Sequence, residues 1–249
     1  MSVKQVNSLK PALKVIGSDG NSWLTLGNDL NGNTALGDSS LHSNTTGYYN
    51  TSIGYSALEV NTTGVENTAN GYLALSSNTY GSFNTAVGDY ALSVNNTGDH
   101  NTAVGDRSLI SNTMGFGNTA IGSDSLQNNT SSFYNTAIGM SALSSNTTGG
   151  NNTAIGFQSL LNNTTGNGNV ALGAVLASNT TGSNNIALGY ASANSVSSGS
   201  NNIVLGTFSG TSLTTGSNNI SLGANTNFAS ATADNQLQIG AGISGDLAL

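Results

Sequence analysis

Residues 135–151 read NTAIGMSALSSNTTGGN, and residues 152–168 return nearly the same string, NTAIGFQSLLNNTTGNG. A chain that repeats at a short fixed period must place equivalent residues at equivalent points of successive structural units. That is the mark of a stacked, quasi-one-dimensional fold. The register is kept by the glycine that closes N-T-A-apolar-G and its variants. It falls at Gly37, Gly54, Gly71, Gly88, Gly105, Gly122, Gly139, Gly156, Gly173, Gly189, Gly206, Gly223 and Gly240. Eleven of the twelve intervals are 17 residues and one, Gly173–Gly189, is 16, so the period holds through the chain. Gly20 lies 17 residues before Gly37, so the stack can begin there.

The columns of the repeat define its unit. Four before the glycine stands Asn in twelve repeats, Asn33 to Asn219, and just before it an apolar residue such as Leu36, Ile53, Val87, Val104 or Ile121, with Asn70 the exception. Four after it is Leu in the first eight repeats, Leu41 to Leu160. Seven after is Asn, from Asn44 to Asn163, and ten after is usually Gly, with Ser132 departing. A Gly or Asn every few residues opposes helix. A short Thr-Ala-apolar run bounded by Asn and Gly suits a strand between turns. The expected fold is all-β: a parallel β-solenoid, or β-roll, of 17-residue coils, with a strand at Thr-Ala-apolar and a second near the Leu.

Alternate residues of a strand share a face, so the Thr and the pre-glycine apolar residue point one way and the Ala between them the other. In later repeats the Thr becomes Val170, Ile186, Ile203, Ile220 and Leu237, a drift that suggests burial. The expectation is therefore that Thr136, Ile138 and Leu143 line a thin core and that Ala35, Ala86 and Ala103 face outward, where small side chains admit a neighbouring backbone. So thin a core argues that one chain is insufficient. Stacked asparagines are expected to form hydrogen-bonded ladders between coils.

Composition excludes several function classes. Only 6% of residues are charged and the net charge is −7. Three of the four cations, Lys4, Lys10 and Lys14, lie near the start and the fourth is Arg107, so no basic stripe exists to neutralise nucleic-acid phosphates. No apolar run of ~18 residues could span a membrane as a helix, and the first residues lack the apolar core of a secretory signal. No disulfide framework is expected, because there is no cysteine. The chain divides into a cap or attachment segment (1–32, with Pro11 and Trp23), the solenoid (33–240, about thirteen coils) and a tail (241–249).

The N-T-A-I-G phrase with its polar loop resembles the head repeats of trimeric autotransporter adhesins. The full N-T-A-apolar-G, Leu, N-T-T-G repeat is still more similar to the repeats of bacteriophage tail fibres. The resemblance covers residues 33 to about 240, and the repeat here is longer than that of the adhesin heads. It implies a left-handed β-roll packed as a homotrimer, and a structural fibre or adhesin on a virion or an extracellular surface that binds a cell-surface glycan or other receptor. Residues 1–32 would join a larger virion assembly. With neither signal segment nor anchor in view, the phage tail fibre is the leading expectation and a bacterial adhesin head the second. A polysaccharide depolymerase and an ice-binding solenoid are further alternatives. No catalytic residue, metal or cofactor is expected, and neither nucleic acid nor membrane insertion.

The candidate receptor-binding residues are Tyr48, Tyr49, Phe83, Phe116, Phe133 and Tyr134, which lie eleven or twelve after the repeat glycine, on the loop entering the next coil. Stacked coils would align them into stripes. Packing between loops or subunits explains such rings, and so does a platform for the apolar faces of sugars. Tyr55, Tyr72, Phe157 and Tyr190 follow the glycine directly. Asp89 and Asp106, in adjacent coils, would stand ~5 Å apart if stacked. A carboxylate couple or a cation site is possible on that spacing, and solvated surface acids near Arg107 are the plainer reading. His42 and His100 are single and distant in sequence. Regular Thr rungs raise the ice-binding alternative, against which the inward Thr assignment counts, leaving the exposed pairs Thr45-Thr46 and Thr147-Thr148 to carry it.

Overall fold

The computed structural model describes residues 13–16, 22–26, 31–240 and 243–246, the segments 13–16, 22–26 and 243–246 by their backbone alone. All sixteen strands form a single sheet in chain order, and there is no helix among the described residues. Thirteen strands, β3 (Thr34–Leu36) to β15 (Gln236–Ile239), come one per coil and pair in parallel, each with the next. This is a β-solenoid of about twelve turns. At ~4.8 Å between strands the stack is roughly 58 Å long. At its ends the chain reverses: β1 (Leu13–Ile16) and β2 (Ser22–Leu26) form an antiparallel pair laid antiparallel on β3, and β16 (Ile243–Asp246) runs antiparallel to β15. Gly20 lies outside the described residues.

Each coil carries one strand, not the two expected. The Leu four after the glycine holds a left-handed backbone, with φ of 51° at Leu92 and Leu109, a geometry that cannot continue a strand. A left-handed non-glycine residue costs ~1–2 kcal/mol, and burying a leucine contributes ~1.5–3 kcal/mol. The leucine wins because this turn drives its side chain into the centre, where Leu58, Leu75, Leu92 and their counterparts up to Leu160 are fully buried and Leu41, in the first coil, partly so. The 16-residue coil loses its residue in this same corner. There Leu176 is the only left-handed residue, whereas the preceding coil has both Gln158 and Leu160. The strand register passes through intact, with Ala171 opposite Ala187.

The facing of the strand is opposite to the sequence expectation. Ala86, Ala103, Ala120, Ala137 and Ala154 are completely buried. The flanking Thr and apolar residues, including Thr136 and Ile138, are half-buried or exposed, and Ile121 is 38% exposed. Only Leu143 of the three residues expected inside lies there. The alanine is small because it faces the leucine across a coil too thin for two large side chains. One coil shows this compensation directly. Val204 replaces the alanine, and Gly210 replaces the leucine, its absent Cβ position only 2.9 Å from Val204 Cγ1. Where serine takes the alanine position, its hydroxyl is paired: Ser52 Oγ donates to Ala57 O at 2.7 Å.

Glycine at the end of the strand is a steric requirement. Gly54 has φ +135°, and a Cβ there would sit 2.3 Å from the carbonyl oxygen of Gly71 in the next coil. The coils therefore stack glycine on glycine, a contact no other residue allows.

Two asparagine ladders run through the interior, as expected. In the first, Asn101 Nδ2 donates to Asn84 Oδ1 at 3.1 Å and to Gly115 O at 2.8 Å, while its own N–H donates to Asn84 Oδ1. In the second, Asn112 Nδ2 donates to Asn95 Oδ1 at 2.8 Å and to Gly115 O, and Asn129 Nδ2 donates to Asn112 Oδ1. The second ladder ends at Asn179. The next two coils put buried Val196 and Leu213 in its place, and Asn179 Oδ1 is left without a donor. At Ser132, the departure from the glycine column, the hydroxyl joins the network by bonding Asn129 and accepting from Asn135 and Asn146.

Asn112→Val should lower the melting temperature markedly, because it strands Asn95 Oδ1 and leaves Asn129 one acceptor short. A buried unsatisfied group costs ~1–3 kcal/mol, and ~1 kcal/mol moves the midpoint of a 150–250-residue protein by ~2–4 °C. Asn128→Val, at an exposed neighbour without a side-chain hydrogen bond, should move it little. Equal shifts in thermal melts would deny the ladder its structural role.

Candidate functional site

With alanine inside, the outer face of the sheet carries two columns. One runs Thr34, Thr51, Thr68 and on to Thr153, then continues as Val170, Ile186, Ile203, Ile220 and Leu237. The other is the pre-glycine column, apolar in every coil but that of Asn70. Neither column contains a charged residue. Leu36, Ile121, Ile155, Leu188 and Ile239 are exposed in it, Leu188 to 46%. The columns are straight because parallel pairing sets like on like: Thr102 on Thr119 and Val104 on Ile121. An uncharged apolar stripe of this length on one face exceeds the scattered apolar exposure of an ordinary surface.

Aromatic rungs stand at both corners beside this face. Before the strand, the six expected residues are all exposed, from 40% at Phe116 and Phe133 to 66% at Tyr49. They fall into separate groups. Tyr48 and Tyr49 meet edge to face at 5.2 Å. Phe83 stacks on His100 at 4.8 Å. Phe116 stacks on Phe133 at 5.5 Å, and Tyr134 meets both edge-on. The backbone supports these positions. Phe116 and Phe133 form a parallel bridge between coils, and Tyr49, Phe83 and Tyr134 hold left-handed φ values near 56–59° that turn the chain into the strand. Tyr49 lies against Gly32, and Tyr134 against Gly117. A Cβ on either glycine would come within 2.8 Å of the ring. Glycine in the neighbouring coil thus makes room for the ring, and Tyr49 and Tyr134 stay 66% and 58% exposed.

The second corner, after the strand, carries a ladder that the sequence displayed only in part. Tyr55 stacks on Tyr72 at 5.4 Å, and Tyr72 meets Tyr90 at 5.3 Å. Tyr190 meets Phe208 at 5.5 Å. Tyr90 and Phe208 were missed because they stand two residues after the glycine, not one. His100 shares its column with Phe83 and Tyr134, and that shared column was the available signal for it. The Tyr72 phenol is raised from its ordinary value by the hydrogen bond and charge of Tyr90, then by desolvation and the charge of Asp89.

Asp89, Asp106 and Asp124 of this corner have partners within the chain, whereas Asp38 Oδ1 is buried without one. Asp89 Oδ1 accepts from the Tyr72 N–H at 3.3 Å. Arg107 makes a two-point pair with Asp124, Nε to Oδ1 at 2.9 Å and Nη2 to Oδ2 at 3.1 Å, and lies 3.5 Å from Asp106. The hydrogen bond and charge of Asp124, then the charge of Asp106, hold the Arg107 guanidinium more firmly protonated. Gln127 also donates to Asp124. Among the described residues no three His, Asp or Glu side chains lie together in a way that could hold a metal ion.

Compared with known proteins, the chain matches no protein-family model, no curated protein and no solved structure.

Proposed function

We propose that this protein is a structural recognition rod. Copies associate side by side through the strand face, and the exposed aromatic corners contact a cell-surface glycan. The observation that carries the reading is the uncharged outer face, apolar in one column along its length and flanked by exposed aromatic rungs. Burying apolar surface contributes ~25 cal/mol per Å², and exposed rings suit the apolar faces of sugars. The count of three chains, a place on a virion as a tail fibre, and the second choice of a bacterial adhesin head rest on the likeness of the repeat to those families. In this reading the protein binds and does not catalyse.

A second reading has one observation in its favour. The Thr column faces outward, which removes the objection to an ice-binding surface, and the eight threonines stack one on the next, one per coil. Light scattering separates the two. Association to a defined multiple of the 24.9 kDa chain supports the rod. A chain that stays single and reshapes growing ice crystals would carry the other reading.

Recognition is tested on the corner. Replacing Tyr48, Tyr49, Phe133 and Tyr134 together by Ala should leave the rod folded and associated, since all four are exposed. Stacking on an aromatic face contributes on the order of 1 kcal/mol or more per ring, by analogy with bases, and several sites on one rod act together. Binding to intact host cells or their surface polysaccharide should fall several-fold. Undiminished binding would place recognition elsewhere, and loss of the rod would make these rings packing residues.

A further inference from the structure

A face that repeats every coil has a difficulty as an interface: two copies can slide by one rung and still match. Along the pre-glycine column like follows like in short runs, Val87 and Val104, then Ile121, Ile138 and Ile155, then Leu172 to Leu222, so a one-coil slip exchanges one apolar contact for another. Asn70 is the one polar residue of that column. It closes β5 (Thr68–Asn70) on the exposed face, between Ile53 and Val87 of the adjoining coils. Among the described residues its side-chain amide has no hydrogen-bond partner, whereas three residues earlier the Asn67 amide donates both to Asn50 and to Gly81.

We propose that Asn70 fixes the axial register in which copies of this chain associate, parallel and side by side, through the strand face. The inference rests on the self-association proposed above. A second copy is the occupant because the face has no charge to complement, and its rungs, ~4.8 Å apart, are matched over the full length by a molecule of the same rise. Parallel packing follows from the columns. The Thr rungs occupy the first part of the stack, and Val170, Ile186, Ile203 and Ile220 follow them. Only a parallel arrangement sets threonine beside threonine and apolar beside apolar. In register, each Asn70 meets its counterpart, and Nδ2–H of one donates to Oδ1 of the other. One coil out of register, each buried amide faces Ile53 or Val87 and pairs with nothing, which disfavours that arrangement about tenfold per stranded amide. A lone buried asparagine sets register in coiled coils in the same way.

Because the chain has no cysteine, introduced thiols report the register. Copies carrying Ile121→Cys should join through that residue under mild oxidation. Co-expressed copies of different length, one with Val104→Cys and one with Ile121→Cys, join favourably when slipped by a coil; in register the ~4.8 Å rise added to a usual disulfide Cα separation of ~5.5–6 Å carries the pair past the tolerated ~7 Å. With Asn70 in place, in-register joining should exceed slipped joining at least tenfold. With Asn70→Val the ratio should fall to within about twofold, on rods of unchanged mass by light scattering. An unchanged ratio on associated rods would overturn the role of Asn70 alone. Associated rods that join at neither position would show that the pre-glycine columns do not face one another, and would overturn it too. A chain that never associates would overturn the self-association itself, and the register with it.

Discussion

Ala103→Arg is expected to destroy the coil that carries it. Ala103 is the centre of β7 (Thr102–Val104), fully buried, with Ala86 and Ala120 on either side in the sheet. A guanidinium there has neither space nor a counter-charge, and uncompensated buried charge costs several kcal/mol. In a stack where each coil contacts only its neighbours, the damage stays local in origin. The coils on either side can stay folded while the chain opens between them. Circular dichroism should show a midpoint lowered by ten degrees or more, and limited proteolysis should cut near residue 103 to leave two resistant fragments. If the variant kept its melting temperature and lost only its association, the alanine column would be a contact face and the inward assignment would be wrong.

Ile121→Asp is expected to do the reverse. Ile121 ends β8 (Thr119–Ile121) with its side chain outward and 38% exposed. In the isolated chain an aspartate there meets water, so the fold should survive with a midpoint within a few degrees of the parent. In an associated rod it places like charges at the same height in every copy, on a face with no cation in either column. Like charges brought together cost several kcal/mol, and each 1.4 kcal/mol is tenfold in affinity, so the association constant should fall more than a hundredfold. Sedimentation or light scattering at micromolar concentration should then find single folded chains. Unaltered mass would mean that copies meet through another surface. Together the two variants separate core from interface, since each should disturb only one of the two properties.

The positions of the candidate site were legible in the sequence, but their contacts were not. Tyr48, Tyr49, Phe83, Phe116, Phe133 and Tyr134 are exposed at the corner, as the loop position implied. What the spacing could not show was their grouping. Phe83 finds His100, and Phe116 finds Phe133 with Tyr134 across it, because ring contacts depend on side-chain direction as well as on coil height. The ladder from Tyr55 through Tyr72 to Tyr90 was obscured for the same reason: residues one and two after the glycine reach the same place from different points of the turn.

The sequence by itself determined the period, the parallel stacking, the strand at Thr-Ala-apolar, the asparagine ladders and the glycine columns. Each follows from a residue type recurring where only it fits. It also determined that Thr102 and Val104 share one side and Ala103 the other, since alternation in a strand admits nothing else. Which side is the interior was decided only by the tertiary structure. Alternation is symmetric with respect to inside and outside, and the usual guide, larger apolar residues inward, fails in a coil this narrow. Leu109 already fills the centre, so the strand can turn only alanine towards it. The branched residues, for which there is no room, become the outer face.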